Sequence, residues 1–407
     1  MFSPPIYADE PLTWEDCLME AKENHPDLIT AREKVEQAIQ DKGIAVGDIL
    51  PQVSLDASGK KSKSGAGSAA STYKYGLSAQ QLLFDGFKSS SGIKAAQEDI
   101  KSSQYDHDVA SSNIRLRLRS AFIELLRAEE LLKITDDIAG RRRKNLELVQ
   151  LRYDAGREHR GSLFKERANL AQAEFEVAQA RRNIELSQRR LVKELGRESF
   201  SPVAVNGRIE MVFALEEEPD FDKLPRDNPL LKELIAKKES ARLGIQSAKA
   251  DFFPEVYTSA SAGKTGSEFL PEGDEWSAGL TVSFPIFEGA KRFAELKKAR
   301  AKFRQSEAEE KSGRDGVVFT LREAWIVFKD AADAVDVRLQ FLNAAQERSK
   351  IAQAQYSNGL ISFDNWTIIE DDLARDKKAY LESLADAQVA EAYWLQAKGV
   401  TLDENTQ

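Results

Sequence analysis

Apolar residues follow two different periods along this chain. After Pro51 and again after Pro254, apolar and polar residues alternate, which is the pattern of a β-strand with one apolar and one polar face. Between Gly86 and Tyr153, apolar residues instead recur at intervals of four and three, the spacing of a coiled-coil helix. The sequence therefore predicts short β-hairpins between very long helices, a mainly α fold with a small β component.

Two β-hairpins are predicted, at 51–84 and 254–287, each with a Gly-rich connector between its strands. If the apolar face of each hairpin turns toward lipid, the alternation selects the side chains that would face the membrane. This membrane-facing set comprises Val53, Leu55, Tyr73, Tyr75, Leu77, Val256, Trp276, Leu280, Val282 and Phe284. Tyr and Trp near the hairpin ends suit the boundary between a bilayer and water.

An internal duplication organises the chain. Pro26 and Pro51 recur as Pro229 and Pro254, and the same offset of 203 residues aligns the two halves almost without slippage. The predicted organisation is an N-terminal segment at 1–23, a first repeat at 24–196, a linker at 197–227, a second repeat at 228–399 and a tail at 400–407.

Each repeat is predicted to contain the same elements in the same order. An opening helix is followed by a hairpin, a long helix and a helix that returns. In the first repeat these last three lie at 51–84, 86–154 and 162–196. In the second they lie at 254–287, 289–356 and 363–399.

Composition excludes several functional classes. One Cys rules out a disulfide framework or a Cys-based zinc site, and three His far apart in sequence make a metal cluster unexpected. A net charge of −9 argues against nucleic-acid binding. No apolar run is long enough for a transmembrane helix. Transmembrane β-strands remain compatible with this composition, because alternating apolar and polar residues give a low mean hydropathy.

Four strands per chain cannot close a membrane sheet by themselves. A bilayer tolerates no open sheet edge, and membrane barrels begin at about 8 strands. Three copies would supply twelve strands, together with enough helices to enclose a tube. The sequence therefore predicts a homotrimer in which a 12-stranded β-barrel continues into a long α-helical barrel.

The ordered set of duplicated motifs resembles the TolC-type outer-membrane channel family, the outer membrane factors. The resemblance spans nearly the whole chain, and its motifs include Leu83-Phe84-Asp85-Gly86, Ile286-Phe287-Glu288-Gly289 and Tyr-x-x-Gly at 153–156 and 356–359. It implies the exit duct of a tripartite efflux pump or a type I secretion system, located in the bacterial outer membrane and extending into the periplasm. It also implies a periplasmic adaptor protein and an inner-membrane transporter of the RND, ABC or MFS type as partners. No cofactor, metal or nucleic acid is expected.

The two turns that join the long helices to the returning helices are candidate functional sites by the same resemblance. It implies that they form a periplasmic tip that contacts the adaptor, and the candidate contact residues are Tyr153, Gly156, Tyr356, Gly359 and Ser362. The ordinary structural interpretation, in which each glycine ends a helix in the left-handed conformation, is compatible with that role.

The family often carries Asp six and nine residues after the glycine of the second turn. Here those positions are Asn365 and Ile368, while Asp364 lies one residue earlier and Asp371 lies further on. The candidate gate residues are therefore Asp364, Asn365 and Asp371. A helix N-cap is the alternative role for Asp364.

Other signals have plainer interpretations. The basic run at 141–144 is expected to be a solvated helix face, and no catalytic constellation is present, so an enzyme is not expected. A soluble coiled-coil scaffold is the alternative function, in which the alternating segments are merely linkers. Residues 1–8 fit either a signal-peptide remnant or a plain tail. The sequence does not identify the cargo, because drugs, metal ions, siderophores and proteins all pass ducts of this family.

Overall fold

The computed structural model describes residues 11–63, 69–210, 218–221 and 223–404. Residues 1–8, for which the sequence left two interpretations, lie outside this range. The elements in chain order are α1 (Trp14–Asn24), α2 (Pro26–Gly47), β1 (Gln52–Ser62), β2 (Ala70–Phe84), α3 (Lys88–Asp154), α4 (Arg160–Leu195), a short 3-10 helix (Leu224–Asp227), α5 (Pro229–Ala250), β3 (Glu255–Gly266), β4 (Gly273–Ser283), α6 (Lys291–Ser357) and α7 (Phe363–Lys398).

The duplication is visible in the lengths of the helices. α3 and α6 have 67 residues each, α4 and α7 have 36 each, and α2 and α5 have 22 each. In every pair the second helix begins 203 residues after the first. The offset read from the sequence is therefore also the offset of the helix boundaries.

The long helices begin two residues later than the sequence predicted, at Lys88 and Lys291 rather than at 86 and 289. The cause is a left-handed turn before each helix, in which Phe87 has φ 69° and its counterpart Ala290 has φ 65°. Non-glycine residues adopt this conformation at a cost of about 1–2 kcal/mol. The carboxylate of Asp85 then accepts a hydrogen bond of 2.7 Å from the backbone N–H of Ser89.

Two other predicted boundaries also shift. α4 begins at Arg160 rather than at 162, because the side chain of His159 caps the helix. β4 ends at Ser283, so the second hairpin stops before 287; Pro285 follows and has no N–H to donate to a ladder. The N-terminal segment contains α1, a helix that was not predicted from the sequence and that begins with a capping box between Thr13 and Asp16.

The chain divides into two compact units. The first unit consists of residues 1–31, 107–229 and 315–407. Its main core joins α1, α3, α4 and α7 through apolar side chains that are almost fully buried, including Leu18, Leu118, Leu125, Leu191 and Leu384. None of the helices in the described ranges is both long enough and apolar enough to cross a membrane.

The second unit consists of residues 32–106 and 230–314 and contains the sheet. The four strands form one antiparallel sheet in the order β1-β2-β3-β4, so that the hairpins of the two repeats pair through β2 and β3. A register shift near Leu82 interrupts this central pairing. β1 and β4 are the two edges of the sheet, and neither has a further strand partner within the described residues.

Candidate functional site

The strand registers sort the side chains of the sheet onto two faces. Directly opposed residues in an antiparallel sheet share a face. One such row runs across all four strands and contains Leu55, Leu77, Ala262 and Trp276. Residues two apart along each strand extend that face, so the sheet has one continuous apolar face.

Nine of the ten predicted membrane-facing residues lie on this apolar face within the strands. They are Val53, Leu55, Tyr73, Tyr75, Leu77, Val256, Trp276, Leu280 and Val282. The tenth, Phe284, lies just beyond the end of β4 and is not part of the sheet. Large apolar side chains on this face are strongly exposed in the single chain, with Leu55 at 78% and Trp276 at 79%. An apolar face of this size requires either a partner or lipid to cover it.

The opposite face of the sheet is polar and carries mostly small side chains. The hydroxyls of Ser54 and Ser78 lie 2.7 Å apart, and those of Ser261 and Ser277 lie 2.9 Å apart. The ammonium group of Lys74 donates hydrogen bonds of 3.0 and 2.9 Å to the carboxylate of Glu275 on this face. The two faces of the sheet therefore suit lipid on one side and water on the other.

The two turns predicted to form the tip have the same backbone geometry. Gly156 and Gly359 have φ values of 70° and 76°, a left-handed conformation that favours glycine. In the first turn the N–H of Arg157 donates to the carbonyl of Arg152, and in the second the N–H of Leu360 donates to that of Gln355, both at 2.8 Å. Each turn is therefore a Schellman motif that ends a 67-residue helix.

The returning helices start with side-chain caps at equivalent positions. The Nδ1 atom of His159 accepts a hydrogen bond of 3.2 Å from the N–H of Ser162. In the second turn the hydroxyl of Ser362 accepts one of 3.3 Å from the N–H of Asn365. Both bonds satisfy an N–H that the helix itself leaves without a partner.

The two turns are joined to each other through Tyr356. Its hydroxyl donates a hydrogen bond of 2.9 Å to the carboxylate of Glu158, and its ring stacks on Trp366 with ring centroids 4.3 Å apart. The guanidinium of Arg152 lies 4.6 Å from the centroid of the same ring and donates a hydrogen bond of 2.7 Å to the carbonyl of Tyr356. We call this set of four residues the tip lock.

Electrostatics follow from this geometry. Burial and the bond to Glu158 both raise the pKa of the Tyr356 phenol. Burial also acts to raise the pKa of Glu158, but hydrogen bonds from the Ser162 hydroxyl, the His159 N–H and the Tyr356 hydroxyl outweigh it, so that the pKa of this carboxyl lies below its usual range. The tip lock therefore contains a phenol that stays protonated and a carboxylate that stays ionised at neutral pH.

The structure corrects the role predicted for Tyr356. Its side chain is fully buried, so it positions the turn and offers no surface to an adaptor. The equivalent residue of the first repeat, Tyr153, is exposed, as are Gly156, Gly359 and Ser362. The other three members of the tip lock were not predicted from the sequence. A comparison of the repeats could have found Arg152, Glu158 and Trp366, because their counterparts are Gln355, Ile361 and Leu163.

A layer of charged side chains lies among α3, α4, α6 and α7. Arg141 donates hydrogen bonds to Glu370 and Ser349, whereas Arg142 bonds Asp371 and lies 3.7 Å from Glu166. The side chains of Arg142 and Glu166 are 7% and 1% exposed, and burial raises the pKa of Glu166. The expectation of a fully solvated basic run at 141–144 is therefore wrong for Arg142.

The three candidate gate residues lie on α7 but in different environments. Asp364 is exposed in the first turn of the helix, where a carboxylate is favoured by the helix dipole. The N–H of Asn365 donates to the cap residue Ser362. Asp371 is held by Arg142, so its charge is compensated within the chain. Among the residues that the structure describes, no group of His, Cys, Asp and Glu is arranged to hold a metal ion.

Comparison with known proteins identifies the family. The family model described as outer membrane efflux protein matches residues 17–197 and 222–397, which together cover nearly all of the two repeats. The chain belongs to this family. Membership confirms the predicted class of function, an outer-membrane channel for efflux or secretion, and the predicted location in the outer membrane. It does not support the alternative of a soluble scaffold.

Individual relatives are distant in sequence but similar over most of their length. The outer membrane efflux protein BepC of Brucella suis is 20% identical over 96% of this chain and 86% of its own. The cation efflux system protein CusC of Escherichia coli is 22% identical over 85% of this chain and 77% of its own. The solved structure of the open state of the Neisseria gonorrhoeae MtrE outer membrane channel matches with a TM-score of 0.86 at 20% identity. The match covers 97% of this chain and 90% of the MtrE chain. The predicted fold class is thereby confirmed.

Proposed function

We propose that three copies of this protein form a passive duct across the outer membrane, and that a periplasmic adaptor opens it at the tip. The observation that carries the proposal is the sheet, which has one exposed apolar face and two open edges. Pairing β1 of one copy with β4 of the next would leave no edge in lipid and would give a closed 12-stranded barrel. The proposal includes no enzymatic step.

An exposed apolar stripe on α6 supports assembly. Its members are large side chains between 51% and 66% exposed, namely Phe319, Ile326, Val337, Phe341 and Ile351. At about 100° per residue, these positions fall within roughly 40° of one line along the helix. A stripe of this kind on a helix already packed on its other side suits contact with a neighbouring copy.

The tip lock supports a gate at the two turns. It ties the turn of the first repeat to the turn of the second through Arg152, Tyr356 and Glu158. Opening by an adaptor requires the turns to move, and the exposed residues Tyr153, Gly156, Gly359 and Ser362 are the surface we assign to that contact. The solved structure of MtrE, which has this fold, is described as an open state of that channel.

The partners follow from this role. An inner-membrane transporter of the RND, ABC or MFS type supplies the energy and selects the cargo, while the duct conducts passively. Asp364 is the residue that we assign to an acidic constriction, because its carboxylate is exposed and lies at the start of α7.

Disulfide trapping tests the assembly. In a Cys17→Ala background, which removes the single native thiol, cysteines are placed in pairs along β1 and β4. Oxidation of the protein in membranes should give covalent dimers and trimers for at least one pair, and each single cysteine serves as its control. A monomer in detergent that gives no conductance in planar bilayers would overturn the proposal.

A further inference from the structure

The apolar face of the sheet ends in a patch of aromatic and cationic side chains near the hairpin turns. We call this the rim patch and define it as Lys61, Tyr73, Tyr75, Lys264 and Phe269. Tyr75 is directly opposed to Lys264, and the ring of Phe269 meets the rings of Tyr73 and Tyr75 edge-on at 5.8 and 6.2 Å. The patch lies at the end of the strands away from the helices that they join.

Register places Lys61 on the apolar face. It follows Val53, Leu55, Ala57 and Gly59 at intervals of two, so its side chain leaves the strand on the same side. Tyr73 is directly opposed to Gly59, so Lys61 lies two residues beyond that tyrosine in the direction of the turn. Because tyrosines on a lipid-facing surface mark the boundary between acyl chains and water, a lysine beyond them would meet the headgroups of the outer leaflet.

Three lysines near the turn of the first hairpin have no ion-pair partner among the residues that the structure describes. They are Lys60, Lys61 and Lys63. On the second hairpin, Glu275 is held by Lys74 on the polar face, Asp274 lies 3.9 Å from Lys264, and Glu268 and Glu272 lie in the connector. The first hairpin therefore presents surplus positive charge at the level where a bilayer presents phosphate.

Three aromatic rings lie beside the lysines of the patch. The ring of Tyr73 lies over Gly59, where an added Cβ would be 3.2 Å from the ring, so the ring extends toward β1 and Lys61. Tyrosine at a bilayer boundary places its apolar body in lipid and its hydroxyl in the headgroup layer. Lysines beside such rings can therefore reach lipid phosphates in the same headgroup layer.

We infer that the rim patch binds the phosphate-bearing lipid headgroups of the outer leaflet, with Lys61 as its main cation, Lys264 as a second cation that also faces Asp274, and the three rings as an apolar surface beside them. This inference rests on the proposed trimer in the outer membrane. Lys60 provides a matched control, because it is adjacent to Lys61 and equally charged but leaves the strand on the polar face.

Thermal dissociation of the trimer in detergent tests the inference. Bisphosphorylated lipid A should raise the midpoint of dissociation for the native protein and for Lys60→Gln. Lys61→Gln should bind the lipid about fivefold more weakly, as expected for one lysine near an anionic surface, and should lose much of that rise. Lys61→Arg should restore it. Lipid A stripped of its phosphates, and inorganic phosphate alone, should have little effect.

The outcomes separate this site from the channel itself. Equal losses in Lys60→Gln and Lys61→Gln would overturn the rim patch, as would equal stabilisation by phosphorylated and dephosphorylated lipid. Trimers that conduct ions but whose dissociation midpoint does not change with lipid A would contradict the lipid site alone. Absence of trimers in the native protein would contradict the channel proposal and the lipid site together.

Discussion

The hydroxyl of Tyr356 donates a hydrogen bond of 2.9 Å to the carboxylate of Glu158, which lies 198 residues earlier in the chain. The bond connects the turn between α3 and α4 to the turn between α6 and α7. A hydrogen bond to a charged acceptor typically contributes about 1.5–3 kcal/mol. This contact alone is therefore strong enough to bias the position of two turns that meet at the proposed gate.

Removing this bond should loosen the gate at rest. Tyr356→Phe keeps the ring stacked on Trp366 but deletes the donor, so we expect resting conductance in planar bilayers to rise roughly tenfold or more. Tyr153→Phe removes the same hydroxyl at the equivalent, exposed position and should leave the conductance unchanged. Equal conductance in all three proteins would show that the bond does not hold the gate.

The tip should respond to acid through Glu158. The pKa of Glu158 is lowered in the folded protein. The stability that its ionised carboxylate contributes is therefore fully present above pH about 4.5, and it is lost as the pH falls through the lowered pKa. Resting conductance should therefore rise in acid below pH about 4.5. Glu158→Gln should already conduct more at neutral pH and should show a flatter pH profile. Superimposable profiles for the two proteins would contradict this role.

The buried pair of Arg142 and Glu166 should be costly to break. Arg142→Met leaves the Glu166 carboxylate buried without its cation, and we expect the free energy of unfolding to fall by about 3–5 kcal/mol. Chemical denaturation followed by circular dichroism measures the change. The double variant Arg142→Met/Glu166→Leu should recover most of the loss.

An exposed pair between the same two helices, α3 and α4, is the control for this measurement. Arg143 bonds Glu174 at 3.0 Å, and both side chains are more than half exposed. Arg143→Met should change the free energy of unfolding by less than about 1 kcal/mol, because water already screens that pair. Similar effects of the Arg142 and Arg143 variants would mean that burial of the first pair is not energetically important.

Asp364 should contribute charge to the constriction. Three copies of Asp364→Ala remove three carboxylates, so resting conductance should rise and preference for cations over anions should fall. The same measurements on Asn365→Ala and Asp371→Asn rank the candidates. An unchanged leak and an unchanged selectivity in Asp364→Ala would remove this residue as a gate.

Repetition made much of the fold readable from the sequence. An offset of 203 residues specified the paired helices, and the alternation after Pro51 and Pro254 specified the strands and the apolar face. The starts of the long helices were missed by two residues, because Phe87 and Ala290 adopt a left-handed conformation that their residue types do not signal.

The tip lock was harder to predict for a physical reason. The pattern shows two tyrosines at equivalent positions, but only Tyr356 is buried, and that difference depends on partners distant in sequence. Likewise, the run at 141–144 gave no sign that Arg142 is buried beside Glu166 while Arg143 is exposed. Contacts between side chains of different helices decide these cases, and local periodicity does not encode them.

The two repeats contribute different groups to the tip lock. The first half supplies the two charged groups, Arg152 and Glu158, and the second supplies the aromatic pair, Tyr356 and Trp366. Six equivalent turns would give the tip of the proposed trimer sixfold symmetry. Because the two turns of each chain contribute different groups, these contacts would repeat three times around the axis instead.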